Sequence, residues 1–226
     1  MVLKRMFTSS VGRKFLVALT GSLLIIFIIA HMVGNWNMFL GQDAMNSYAE
    51  KLQNLGGLLW IVRIGLLVVF VIHVFLTIQL NIENKMARSI PYKKKDYIKA
   101  SLASRTMALS GILILAFVLY HLLHYTLGVV QPETFKANLT DSSGRPDVYR
   151  MVIYGFQNPL ISLSYIVAMV FLSMHLDHAV QSVFQTFGLT TKRIFPTLIK
   201  ISHGFAILIF IGYSLIPVSI LIGIIH

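Results

Sequence analysis

The stretches ALTGSLLIIFIIAH, residues 18–31, and ALSGILILAFVLYH, residues 108–121, align without gaps at an offset of 90. Ala, Leu, Gly, Phe and His recur in register, with Gly21 and Gly111 each ten residues before a histidine. Both copies lie in apolar runs of the length a helix needs to cross a bilayer, about 20 residues for a ~30 Å hydrocarbon core. Such runs place a polar imidazole inside lipid, and they decide the fold.

Working outward, five stretches qualify as spans: Phe15–Leu40, Leu58–Leu80, Met107–Val130, Leu160–Phe184 and Ile201–Ile225. The expected fold is all-α, one membrane-anchor domain over residues 1–226 built of five transmembrane helices. The first run is too long for a signal peptide, and no small-residue cleavage site follows it. Composition agrees: of 226 residues 56% are hydrophobic and 12% charged, and mean hydropathy is +0.76. A soluble domain carries about 25% charged residues, so soluble globular and disordered classes are excluded.

The net charge of +11 follows the spans. Lys4, Arg5, Arg13 and Lys14 precede the first. Lys85, Arg88, Lys93, Lys94, Lys95, Lys99 and Arg105 separate the second from the third, and Lys192, Arg193 and Lys200 the fourth from the fifth. The opposite side has Lys51, Arg63, Lys136, Arg145 and Arg150, balanced by Asp43, Glu50, Glu133, Asp141 and Asp147. The positive-inside rule then predicts a cytoplasmic N-terminus. The basic belt needs no nucleic acid to explain it; beyond setting topology it suits lipid headgroups or a docked cytoplasmic partner.

There is no cysteine. Disulfides, iron–sulfur clusters and cysteine-held zinc are therefore excluded from this chain, and metal chemistry falls to histidine. His31, His73, His121 and His175 stand one on each of the first four spans. Each lies past its span's midpoint, and direction alternates. His31 and His121 thus fall in the outer half, His73 and His175 in the inner half, in two layers roughly 10–15 Å apart at 1.5 Å per residue. Intramembrane histidine is costly and marks function. Two imidazoles from facing helices are what a six-coordinate haem uses, and two levels predict two haems. Zinc would need three or four ligands at one depth.

His124 follows His121 by three residues, and His178 follows His175 by three, so each pair shares a helix face. The internal repeat favours His121 over His124. Periodicity leaves His175 and His178 both open. Gly21 and Gly111 suit a flat macrocycle or a closely packed helix equally.

The chain resembles the cytochrome b membrane subunit of succinate dehydrogenase and fumarate reductase, in its single-chain, five-helix, dihaem form. Four pieces carry the resemblance: Ser9-Ser-Val-Gly-Arg-Lys14 with Leu19-Thr-Gly21 and His31; Ile72-His73 with Gln79-Leu-Asn-Ile-Glu-Asn84 and Ala87-Arg88; Ser110-Gly111 with His121; and His175-x3-Ala179-x2-Ser182-x5-Gly188. The last piece selects His175, although Ala179 stands where the family has Gly. The resemblance implies that His73 and His175 ligate an inner haem and His31 and His121 an outer one. It also implies a flavoprotein and an iron–sulfur subunit on the cytoplasmic side, and a quinone, usually menaquinone, reacting near the outer haem. The setting would be a bacterial or archaeal cytoplasmic membrane, with room for a dimer of complexes.

Ser10, Arg13 and Lys14 are inner-side candidates for haem propionates and Arg63 an outer-side one; snorkelling or interfacial roles would equally explain them. Glu50 is the outer-loop acid closest to the second span and a candidate for quinone-linked proton transfer, beside the plain reading of a solvated loop acid. Asp177, the clear intramembrane carboxylate, is expected to pair with a neighbouring histidine or basic group. His203 is expected at an interface and His226 outside any site. The polar segment from Gln131 to Arg150 reads as an outer loop with a short surface helix. The competing functions are the cytochrome b subunit of another quinone-linked dehydrogenase, and a haem-free transporter or proton channel.

Overall fold

The computed structural model describes residue 6 and residues 8–87 and 101–226. Lys4, Arg5, Arg88, Lys93, Lys94, Lys95 and Lys99 lie outside them. In chain order the helices are α1 (Ser10–Asn35), continued by a 3-10 turn Trp36–Leu40, α2 (Gln42–Gln53), α3 (Gly57–Met86), α4 (Leu102–Arg105), α5 (Met107–His121), α6 (Val148–Gln157), α7 (Pro159–Thr186) and α8 (Phe195–Leu221). Among the described residues there is no strand, only a lone bridge between Thr140 and Pro146. Five helical segments are long and apolar enough to cross a membrane: Ser10–Leu40, Gly57–Met86, Met107–Thr126, Pro159–Thr186 and Phe195–Leu221. The protein is an all-helical, multi-pass membrane protein.

α1 and α7 start ahead of their apolar stretches, and polar side chains cap their first turns. The Ser9 hydroxyl accepts from the Gly12 N–H at 3.0 Å and starts α1 five residues before the apolar run. Asn158 accepts from the amides of Leu160 and Ile161 ahead of Pro159, whose missing N–H is no loss in a first turn. α7 stops at Gly188, where φ is +72°. The Leu189 N–H reaches back to the Phe184 carbonyl, and the Gly188 N–H to that of Gln185. This is the double closure that favours a left-handed glycine. The third span ends earlier than its hydropathy predicts. After His121 the helix widens into one π-type turn, Leu122–Thr126.

α3 packs along α1, α5 along α7, and α7 along both α8 and α1. α3 is otherwise bare, with Leu58, Trp60, Ile61, Leu67 and Phe75 more than half exposed, as lipid-facing side chains are. The larger buried cluster lies at the end of the bundle opposite the amino terminus. There α2 and α6 bring Met45, Val148, Met151, Ile153 and Phe156 against Tyr165, Ile216 and Ile220. The segment expected as a loop with a surface helix therefore has α6 at its end, and α6 is a packed part of this cap.

Polar groups stitch the cap together. The fully buried Asp147 carboxylate accepts from Gln42 Nε2 at 2.6 Å, Asn46 Nδ2 at 3.0 Å and the Arg150 amide at 3.1 Å. Arg145 donates to Asp141 at 2.8 Å, to Ser47 at 2.6 Å and to Asp43 at 2.7 Å. Burial pushes the Asp141 carboxyl up. Hydrogen bonds from the Arg145 amide, Asn46, the Arg145 guanidinium and the Ser143 amide outweigh it and hold the pKa at about 2.

Candidate functional site: two levels of paired histidines

At the level nearer the amino terminus, α1 and α5 present the same device. Thr20 donates its hydroxyl proton to the carbonyls of Leu16 and Val17, at 2.8 and 3.2 Å. Its oxygen lies 3.1 Å from His73 Nδ1 on α3. Ser110 donates to the Met107 carbonyl at 3.1 Å, and its oxygen lies 3.2 Å from His175 Nδ1 on α7. A hydroxyl has one proton to give. Since the helix carbonyl takes it, the oxygen accepts from the imidazole, and Nδ1 carries the hydrogen. Both Nε2 atoms keep their lone pairs and, among the described residues, have no hydrogen-bond partner. This is the tautomer of an imidazole metal ligand, with the outer nitrogen anchored and the inner one free.

The glycines beside these hydroxyls make room for the rings. A Cβ on Gly21 would stand 3.2 Å from His73 Cε1, and one on Gly111 3.5 Å from His175 Cε1. The repeated unit is therefore a hydroxyl–glycine pair that seats the histidine of the next span. The sequence places Thr20 and Ser110 in its motifs but gives them no role, although the hydroxyl recurs beside the glycine in both copies.

Eleven residues separate Thr20 from His31, and eleven separate Ser110 from His121. At 1.5 Å per residue the second level stands roughly 16 Å from the first. There the His31 and His121 rings lie 5.9 Å apart between centroids, at 81°. Phe27 and Phe117, one helical turn before each, pack on them at 5.4 and 5.9 Å. A metal bound about 2.0 Å from each of two imidazole nitrogens separates the ring centroids by roughly 6 Å. Asn35 Nδ2 lies 3.2 Å from His31 Nε2, a contact that a metal at this nitrogen would replace. Tyr165 Oη lies 3.4 Å from His121 Nδ1.

His124 is spent on other partners. The π-type turn buries it, with Nε2 2.8 Å from Gln131 Oε1 and Nδ1 3.0 Å from Tyr165 Oη. Nε2–H donates to the amide oxygen and Nδ1 accepts from the tyrosine, so neither nitrogen is left for a metal. His178 is half-buried, and its ring has no hydrogen bond among the described residues.

The remaining candidates scatter. Arg13 is buried and donates to Glu83 at 2.7 Å, while its Nε has no partner. Seven residues, or about 10 Å along α1, place it two turns from the Thr20–His73 contact. Ser10 and Lys14 are exposed. Arg63 is exposed, lies 5.3 Å from the centroid of the Trp60 ring and stands ten residues before His73, near the His31–His121 level. Burial, then the Arg63 charge, push the nearby Lys136 ammonium below its ordinary value. Glu50 is exposed on α2. Asp177 pairs with His203 Nδ1 and accepts from Ser202 at 3.1 Å.

Among the described residues no three His, Cys, Asp or Glu converge on a common metal position. Each level offers two imidazoles, the number that would suit a group bringing its other four ligands itself. The residues fit haem. Compared with known protein families, with curated protein sequences and with solved structures, the chain finds no match.

Proposed function

We propose that the protein is a dihaem cytochrome b, the membrane anchor of a succinate:quinone or quinol:fumarate oxidoreductase. In this reading it carries electrons between an iron–sulfur subunit and a membrane quinone. One observation supports the reading above the others: α1 and α5 each bear a hydroxyl–glycine seat for a neighbouring histidine and, eleven residues on, a histidine of their own. That arithmetic yields two histidine pairs at two depths, as a transmembrane electron path needs.

Haem, when bound, supplies reversible one-electron transfer. His73 and His175 hold the inner group through Nε2, with Thr20 and Ser110 fixing their rings. His31 and His121 hold the outer one, with Phe27 and Phe117 walling the rings and Tyr165 at Nδ1 of His121. Arg13 would take an inner carboxylate on its free Nε. Arg63 remains the candidate at the outer level. The cap of α2 and α6 closes the outer end against water.

The charge asymmetry supports a cytoplasmic amino terminus and a basic face for the flavoprotein and iron–sulfur partners. The chemistry on succinate or fumarate belongs to those partners. The quinone is menaquinone or another membrane quinone in this reading, and the setting a bacterial or archaeal cytoplasmic membrane.

The test is a reduced-minus-oxidised optical spectrum of the purified chain, with haem quantitation. The expected result is b-type bands and two haems per chain. One haem or fewer, or ligation through His124 or His178, overturns it.

A further inference from the structure

The His31–His121 level carries a chain of hydrogen bonds that the pairing itself does not require. The π-type turn closes by the Leu127 N–H on the Leu122 carbonyl at 2.9 Å, and the Val129 N–H reaches back to the Leu123 carbonyl at 2.8 Å. At Gly128 φ is +67°, and a Cβ there would run into the Phe135 ring. The backbone folds back far enough for Gln131 to meet His124, seven residues earlier. A continuing α-helix would hold the two about 10 Å apart along its axis. Tyr125 stacks on the His124 ring at 3.9 Å between centroids.

The hydrogens in this chain run one way. Gln131 Oε1 only accepts, so His124 donates to it from Nε2 at 2.8 Å. A neutral imidazole has one N–H, which leaves Nδ1 bare to accept the Tyr165 hydroxyl at 3.0 Å. That hydroxyl has then given its one proton. Toward His121 Nδ1, 3.4 Å away and the longest link, its oxygen can only accept. His121 thus carries its hydrogen on Nδ1 and keeps the Nε2 lone pair. The rings of Phe117, Tyr125 and Tyr165 fix where the His121 ring lies. Packing of this kind does not choose which nitrogen bears the hydrogen.

From this geometry we infer that Gln131, ten residues from His121, is a positioning residue for it: acting through His124 and Tyr165, it sets the tautomer of His121 and so the strength of Nε2 as a metal ligand. An acceptor at the outer nitrogen makes an imidazole ligand more basic. A more basic ligand favours ferric over ferrous iron and lowers the midpoint potential. Linked hydrogen bonds polarise one another, so an acceptor at the far end of the chain is felt at its near end. At the other level Thr20 and Ser110 spend their protons on carbonyls of their own helices. Here the control lies with a residue beyond the end of the span. The redox effect rests on the dihaem reading above; the order of the hydrogens does not.

The experiment takes the full chain in nanodiscs and combines redox titration of the haem bands with solid-state NMR of isotope-labelled histidine. The His124 signals are identified by their loss in His124→Asn. In the wild type His124 is expected to bear its hydrogen on Nε2. Tyr165→Phe should raise the midpoint potential of the His31–His121 haem by a tenfold change in ferric preference, about 59 mV for one electron. Gln131→Leu should move it the same way by a smaller step and shift the His124 hydrogen to Nδ1. Gln131→Glu keeps an acceptor and should do neither. The potential of the His73–His175 haem should hold in all three. A His124 hydrogen on Nδ1 in the wild type, an unmoved potential in Tyr165→Phe or Gln131→Leu, or equal shifts in Gln131→Leu and Gln131→Glu overturns the inference. Two haems with unmoved potentials leave the dihaem reading standing without this one. A chain without haem overturns the dihaem reading, and the position of the His124 hydrogen in the wild type and in Gln131→Leu then decides this one.

Discussion

The two histidine levels are built by different means. At the level nearer the amino terminus, inner in the proposed orientation, each ring meets a hydroxyl at Nδ1, with a glycine beside it, and the two halves match: Thr20 and Gly21 for His73, Ser110 and Gly111 for His175. At the outer level the halves differ, with Asn35 at His31 and Tyr165 at His121. The rings there are packed among Phe27, Phe117, Tyr125 and Tyr213. The inner level is oriented by hydrogen bonds. The outer one is oriented by aromatic packing under a stitched cap. Orientation by one bond is sensitive to single atoms, whereas orientation by many contacts is spread over many residues.

Removing a ligand gives the largest effect and tests the pairing itself. His73→Leu or His175→Leu should each lower haem from two per chain to one, with the outer group's spectrum retained. His121→Leu should do the converse and impair quinone reactivity, while the partners' soluble succinate–dye reaction continues. Spectra of the assembled variants decide this. Loss of both haems from a single inner substitution would show that the levels are not independent.

Crowding the seats comes next and tests whether the halves are equivalent. Gly21 is the tighter, 3.2 Å against 3.5 Å for Gly111. Gly21→Val should displace the His73 ring and lose the inner haem selectively. Gly111→Ala adds a methyl at ordinary contact distance and should leave haem content near two. If Gly111→Ala proved as damaging as Gly21→Val, the seats would be set by something other than ring clearance.

Deleting the hydroxyls is milder. Thr20→Val and Ser110→Ala leave the ligand in place but free its ring to turn, and loss of such a partner weakens metal affinity by about 10–100-fold. The expected result is slower inner-haem reconstitution and a shifted inner midpoint potential, with the outer haem untouched. An unmoved potential in both variants would mean that the hydroxyls do not orient the ligands.

The sequence makes the spans and the histidines legible because both signals are local: a run of apolar residues, and one polar group inside it. The gapless repeat even separates His121 from His124. Contacts between helices are not legible in this way. Thr20 and Ser110 look like ordinary hydroxyls of a membrane helix, and only the placement of α3 and α7 gives them work. His124 was ambiguous by spacing; the π-type turn that buries it has no marker in Leu122–Thr126. α2 has no long apolar run, and Asp147, counted with the outer charges, is fully buried at the start of α6. Asp177 was expected to find a histidine or basic partner, and it finds His203.

The smallest effect tests the cap that distinguishes the outer level. The Asp141 carboxyl sits at about 2 in the folded cap against an ordinary 3.8, because the hydrogen bonds it accepts from Arg145, Asn46 and Ser143 outweigh its burial. A carboxyl with a lowered folded pKa favours the folded form fully above its ordinary value. That contribution fades as pH falls and is gone below the folded value. The cap should therefore loosen between about pH 4 and pH 2, seen as growing peptic cleavage around residues 141–150 once corrected for the enzyme's own pH dependence on an unstructured peptide. Arg145→Gln removes the guanidinium that reaches Asp141, Ser47 and Asp43 together, and should move the loosening upward toward pH 4. The inner level has no part in this network, so its haem spectrum should hold over the range in which the cap opens. Equal acid loss at both levels would mean that the cap does not serve the outer pair in particular, and the contrast between the levels would reduce to their immediate contacts.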